Sequence, residues 1–255
     1  MSAYLVTGAS RGIGLELVRH LAAKTSETVQ TIFAAARTSG GPLFQELLQQ
    51  HPDRVIFVPL DVTEKESVKN AVTHVATALN GKGLDVLINN AGVMTPGTVE
   101  NMNDLEDTFR VNVGGVHLVT REFLPLLRNG DKKRIVNIYL FSSTSVGSIQ
   151  LQPTYRAMPT PSYKISKAAL NMLTVLYSQE LEAEGFTVFC VSPGWLKTEM
   201  GSDDADLPVD TGVAAVLDAV LTTGKEKNGR FLNILVPGWE NNPGMNQYDG
   251  KELPW

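Results

Sequence analysis

Residues 3–21 read AYLVTGASRGIGLELVRHL, and this stretch decides the fold. Ala3 to Val6 form a short apolar run suited to a buried parallel strand. Thr7 and the spacing Gly8-x-x-x-Gly12-x-Gly14 follow, and Leu15, Leu17, Val18 and Leu21 then mark a helix. A turn this tight needs unusual backbone angles, and Gly8 has no side chain to refuse them. Gly12 lets the main chain approach a pyrophosphate, and Gly14 lets the helix pack close to the sheet. The start of the helix offers unpaired N–H groups and the positive end of its dipole to phosphate. The spacing differs from the commoner G-x-G-x-x-G, yet strand, glycine turn and helix in this order point to a bound dinucleotide.

Downstream, strand and helix patterns alternate. Strands are expected at Ala3–Val6, Thr28–Ala35, Val55–Pro59, Leu84–Ile88, Arg134–Ile138, Phe186–Val191 and Phe231–Leu235. Such alternation predicts an α/β fold, a parallel sheet covered by helices on both faces. Thr63 with Glu66, and Asn103 with Glu106, read as capping boxes, and Pro161 suits the first turn of a helix. The loosest stretches, Gly147–Thr160 and Gly201–Pro208, belong by fold rules at the carboxyl ends of strands, where ligands bind.

With 255 residues, 43% hydrophobic and 19% charged, the chain has material for one sizeable core, so a single domain over 1–255 with no separate substrate domain is expected. A net charge of −5 gives no basic face for nucleic acid. No apolar stretch approaches the roughly 18 to 20 residues that span a bilayer, and the start does not resemble a signal peptide. A soluble, cytoplasmic protein is expected. The single Cys190, in FTVFCVSPG, reads as a small core residue. His20, His51, His74 and His117 lack metal-ligand spacing, so no catalytic metal is expected.

In SYKISKAALNML, Tyr163 and Lys167 stand four apart and share a helix face. An ammonium there favours phenolate, and a cofactor's positive nicotinamide ring adds to it. A tyrosine that ordinarily titrates at about 10 thereby becomes a usable acid or base near neutrality.

Five motifs in order, TGASRGIG, LDVT (Leu60 to Thr63), NNAG (Asn89 to Gly92), YKISK and PGWLKT (Pro193 to Thr198), resemble those of the short-chain dehydrogenase/reductase family over nearly the whole chain. The resemblance implies a Rossmann-type doubly wound sheet of about seven strands. It implies cofactor contacts from Gly8, Ser10, Arg11, Gly12, Ile13 and Gly14 in the loop, from Asp61 and Val62 beside adenine, and from Asn89, Ala91 and Gly92 beside the central sheet. Tyr163 and Lys167 form its catalytic pair, which also touches the cofactor, and Pro193, Gly194 and Thr198 match the loop that bonds the nicotinamide carboxamide. Asn112, in FRVNVGG, matches a helix asparagine whose backbone holds a water linking Lys167 to solvent. Relatives preferring NAD place an acid at the end of the second strand; here it ends Ala34-Ala35-Ala36-Arg37. Arg37 and Arg11 can offer donors to a 2′-phosphate, which favours NADP(H), with dual specificity as the alternative.

The family runs from its fifth strand into a serine that hydrogen-bonds the substrate oxygen. This chain reads IVNI-YLF-SSTSVGSI, so Tyr139, Leu140 and Phe141 look inserted. Ser143 is the favoured hydroxyl, with Thr144 and Ser145 as alternatives. The tail NGRFLNILVPGWENNPGMNQYDGKELPW resembles fungal C-factor-like reductases and the norsolorinic acid ketoreductase group. That implies an aromatic or polyketide ketone. A short segment after Thr198 suggests an open mouth, which Met94, Tyr155, Met158, Trp195 and Met200 could line. The leading expectation is an NADPH-dependent carbonyl reductase. Alternatives are an NADP(H)-binding sensor or scaffold, and an alcohol dehydrogenase working oxidatively. The resemblance also implies a homodimer or homotetramer, pairing through helices near Asp104–Leu127 and Ser162–Glu184.

Overall fold

The computed structural model describes residues 2–139, 147–199 and 201–255. Seven strands form one sheet: β1 (Ser2–Thr7), β2 (Val29–Ala36), β3 (Val55–Pro59), β4 (Val86–Asn89), β5 (Arg134–Ile138), β6 (Thr187–Ser192) and β7 (Phe231–Asn233). Their order is β3-β2-β1-β4-β5-β6-β7, and every pairing is parallel. The expected strands are all present, with ends moved by one or two residues. β1 takes in Ser2 and Thr7 because both pair with β2, whereas Leu84 precedes β4 and Ile234 and Leu235 lie beyond β7.

Helices α1 (Gly12–Ala23), α2 (Pro42–Gln50), α3 (Lys65–Leu79), α4 (Leu105–Phe109), α5 (Val116–Arg128), α6 (Pro161–Glu180) and α7 (Val209–Thr222) connect them. Because side chains alternate across a strand, Tyr4 and Val6 join Val86, Ile88, Val136 and Val191 in a core under α1, α2 and α7. Ala3 and Leu5 join Leu87, Ile135 and Val188 in a second core under α3 and α5. Both faces of the sheet are therefore covered, and its strands can be apolar at nearly every position. On the outer side of the first layer His20 of α1 reaches Asp210 of α7 at 2.9 Å and Glu16 at 3.4 Å, an association that linear spacing had hidden.

The expected capping boxes do not form. The N-cap of α3 is Glu64, and the Thr63 N–H (2.9 Å) and hydroxyl (2.8 Å) both donate to the Asp61 carboxylate instead. At α4 the cap is Asp104, one residue past the expected Asn103, and its carboxylate instead receives Thr108 and Ser162. Pro161 does sit in the first turn of α6. The long helix expected over Asp104–Leu127 is broken by a π-helical turn at Arg110–Gly115. Among the described residues no helix is long and apolar enough to cross a membrane.

Candidate active site

The strand order reverses between β1 and β4, and in open α/β sheets ligands bind at the carboxyl ends of strands flanking such a switch. Thr7 ends β1, and its hydroxyl accepts the N–H groups of Asn90 (2.9 Å) and Ala91 (3.0 Å), tying the two strand ends together. Gly8 has φ +68°, and a Cβ there would lie 2.9 Å from the Ala91 Cα. Gly12, at φ +54°, faces open space. A Cβ on Gly14 would lie 2.2 Å from the Gly8 carbonyl oxygen and 2.5 Å from the Asn90 amide nitrogen. The helix thus packs against the loop itself as well as the sheet end. The N-cap of α1 is Arg11, whose side chain makes no capping hydrogen bond. Ile13 is buried in the core, while Ser10 lies beside Gly40.

Of the two asparagines in NNAG, Asn89 was expected beside the cofactor, and Asn90 is the one whose side chain contacts the glycine loop. The Asn89 amide is turned into the protein, donating to Thr120 (3.1 Å) and Asn137 (2.9 Å). The Asn90 amide donates to the carbonyls of Thr7 (2.9 Å) and Gly8 (3.3 Å). The motif was the available signal; strand parity decides which residue faces the glycines. Two buried oxygens at the carboxyl ends of the sheet, Asn90 Oδ1 and Ser192 Oγ, have no hydrogen-bond partner among the described residues. The open face of Gly12 and the backbone N–H groups at the start of α1 suit a polyanionic nucleotide, while Asn90 Oδ1, an acceptor, suits a hydroxyl or N–H rather than a phosphate.

Arg37 lies exposed just past β2. Arg11 pairs with Glu199, joining the glycine loop to the segment after Thr198. Burial, the largest single effect on Asp61, raises its carboxyl pKa, but Thr63's two bonds together with Arg37 and Arg110 outweigh it and leave the carboxyl below the usual range. Val62 packs against Gly115, where a Cβ would come within 2.9 Å of Val62. Gly194 has φ +81° and lies against the Tyr248 ring; the Tyr248 oxygen accepts the Trp195 N–H at 3.1 Å. Thr198 accepts the Gly201 N–H at 3.0 Å through its hydroxyl. Ala91, Gly92 and Pro193 lie in the irregular segments that follow β4 and β6.

Tyr163 and Lys167 share a face of α6, with the Lys167 ammonium 5.5 Å from the Tyr163 ring centroid. The lysine is buried and donates to the Ile138 carbonyl oxygen at the end of β5 (3.2 Å). Burial lowers its pKa from 10.5 to about 8, with Cys190 acting in the opposite direction. The Asn112 side chain, in the π-helical turn, accepts the Val93 N–H (2.9 Å) and donates to the Val93 carbonyl (2.9 Å) and Ser166 (3.0 Å). Its side chain is therefore fully occupied in joining three elements. Among the described residues the open mouth expected from sequence is not seen. Tyr163 is 0% exposed, clustered with Tyr155, Met94, Leu151 and Met158. Trp195 bonds the Gly201 carbonyl through its indole N–H. Ser143, Thr144 and Ser145, with Leu140, Phe141 and Met200, lie outside the described residues. A separate 380 Å³ hollow sits at the opposite, amino end of the sheet, beside Asp85 and Asn129, and contains none of these residues.

Residues 2–206 match the family model for short chain dehydrogenase. Estradiol 17-beta-dehydrogenase 2 of Mus musculus is 36% identical over 206 residues, 79% of this chain; the match spans about half of that relative's length (50%). An uncharacterized oxidoreductase of Schizosaccharomyces pombe is 32% identical over 99% of this chain and 97% of its own. The crystal structure of NADPH bound carbonyl reductase from chicken fatty liver superposes with a TM-score of 0.86 at 35% identity, covering 100% of this chain and 99% of that one. The fold is a Rossmann-type doubly wound parallel sheet, shared with the carbonyl reductase structure. The chain belongs to the short-chain dehydrogenase/reductase family.

Proposed function

We propose that the chain is a single-domain NADPH-dependent carbonyl reductase acting on a ketone or aldehyde of aromatic or polyketide type. The observation that carries this reading is Lys167 buried against Tyr163 on one face of α6, its ammonium anchored to the end of β5. Similarity to the NADPH-bound chicken carbonyl reductase supports it. Gly8, Gly12 and Gly14 with the start of α1 would hold the pyrophosphate, and Arg37 with Arg11 the 2′-phosphate. Arg11 would have to leave Glu199, an exposed pairing of the kind that typically costs little to break.

Bound NADPH supplies the hydride that reduces the carbonyl carbon. Tyr163 gives its proton to the carbonyl oxygen, so the alcohol gains one hydride and one proton. Lys167, mostly ammonium at neutral pH, favours the phenolate that results. Ser143 polarises the oxygen in this reading. Because the Asn112 side chain is occupied, any link from it to Lys167 runs through its main chain. Tyr155 and Met158, which pack with Tyr163, would then border the substrate.

Purified protein should consume the reduced-cofactor absorbance of NADPH with a panel of aromatic ketones. Tyr163→Phe should abolish turnover and leave NADPH binding intact; unchanged turnover refutes the role given to the phenol. The enclosure of Tyr163 favours a second reading, an NADP(H)-binding sensor, and tight NADPH binding without turnover over the whole carbonyl panel would select it.

A further inference from the structure

Tyr139 stands where the family pattern leads into its serine, and nothing in the proposed chemistry uses it. It is 1% exposed. Its N–H bonds the Val191 carbonyl at 3.1 Å, carrying the pairing of β5 with β6 one residue further. Its hydroxyl donates to the Lys167 carbonyl oxygen at 2.9 Å. Its ring lies beneath the Lys167 ammonium, 5.0 Å from nitrogen to centroid. Gly147 makes this possible, since a Cβ there would lie 2.8 Å from the Tyr139 ring and 2.7 Å from the Lys167 Cβ. The ring is held in turn by a stack, 4.6 Å to Phe231 and from Phe231 5.7 Å to Trp255.

We infer that Tyr139 is a positioning residue for Lys167, its ring face holding the ammonium beside Tyr163. A buried ammonium has three donors to satisfy, and among the described residues this one donates to the Ile138 carbonyl. A ring face close by offsets lost hydration through its quadrupole. Two rings face this amine. Tyr163 must give up its proton in the proposed reaction, so its ring changes charge. Tyr139 does not: burial, then Cys190 and Tyr163, keep its phenol well above 10. The other titratable neighbour among the described residues is Cys190 on β6, whose thiol burial pushes up to about 12 and whose effect on the amine opposes that of burial. Tyr139 is thus the constant partner, and the aromatic stack extends its support to the tail at Trp255.

The inference rests on the reading of Lys167 as the cation that tunes Tyr163, and the test separates the two. Phenylalanine and its mono-, di- and trifluorinated forms are placed at position 139, which weakens the ring face stepwise at nearly constant size. The Lys167 amine is titrated by NMR of carbon-labelled lysine, assigned with Lys167→Arg, beside pH profiles of kcat. Tyr139→Phe should leave the titration within a few tenths of a pH unit of wild type. The trifluorinated ring should weaken proton binding by Lys167 about tenfold, which moves its midpoint down by about one pH unit. The alkaline limb of kcat should follow, with KM little changed. A midpoint that ignores fluorination overturns the inference, as does a Tyr139→Phe shift as large as the trifluorinated one. If wild type turns over no carbonyl, the reductase reading fails, and the lysine titration still decides the positioning role.

Discussion

Replacing Lys167 by methionine is expected to stabilise the protein near neutrality while removing its chemistry. Burial brings the amine from 10.5 to about 8 in the folded state, with Cys190 acting the other way. Below pH 8 the amine is charged in both folded and unfolded chains, so the full cost of burying the ammonium is present. The gap corresponds to about 3 kcal/mol. Between pH 8 and 10.5 the folded amine has lost its proton while the unfolded one keeps it, so stability rises with pH and the cost disappears. Methionine has similar length and no charge, but it leaves the Ile138 carbonyl without its 3.2 Å donor, a loss of about 1 kcal/mol. The net gain is about 2 kcal/mol at pH 7, or roughly 5 °C in Tm for a chain of this size. Urea unfolding of both proteins at pH 7 and pH 10, without added nucleotide, measures it. A variant less stable than wild type at pH 7, or one whose advantage is equal at both pH values, refutes the reasoning.

Arg37→Asp should raise the KM for NADPH by about 10- to 100-fold while leaving that for NADH unchanged or lower, because charge-assisted bonds to the 2′-phosphate would be lost. Equal effects on both cofactors in steady-state assays would remove Arg37 from the site. Gly14→Ala and Gly12→Ala should separate in urea melts: the first drives a Cβ to 2.2 Å from the Gly8 carbonyl and should cost about 3 kcal/mol or more, while the second meets nothing within 4 Å and should cost about 1 kcal/mol for its left-handed backbone. Similar losses from the two would show that loop strain rather than close packing dominates.

Much of this molecule could be read along the line of residues. The strand, glycine turn and helix at 3–21 are local, and the period of two or 3.6 in later segments follows from backbone geometry, so the alternation and the parallel sheet were legible. So was the sharing of one helix face by Tyr163 and Lys167, which needs only their spacing. Caps were less legible, because short polar side chains compete for the same N–H groups, and Asp61 took the Thr63 N–H that Glu66 was expected to hold.

The tertiary structure decided whatever depends on which strand ends meet. Asn89 and Asn90 are alike in sequence, and only the parity of β4 against β1 turns Asn90 toward the glycine loop. Nothing near Tyr139 announces Phe231 or Trp255; β5, β6 and β7 bring them together. The packing of Tyr155 and Met158 with Tyr163 likewise joins the segment before α6 to the helix's own buried face. Hydrophobic period and turn chemistry act over a few residues and leave their mark in the sequence, whereas contacts between distant segments are set by chain crossings and packing, and leave almost none.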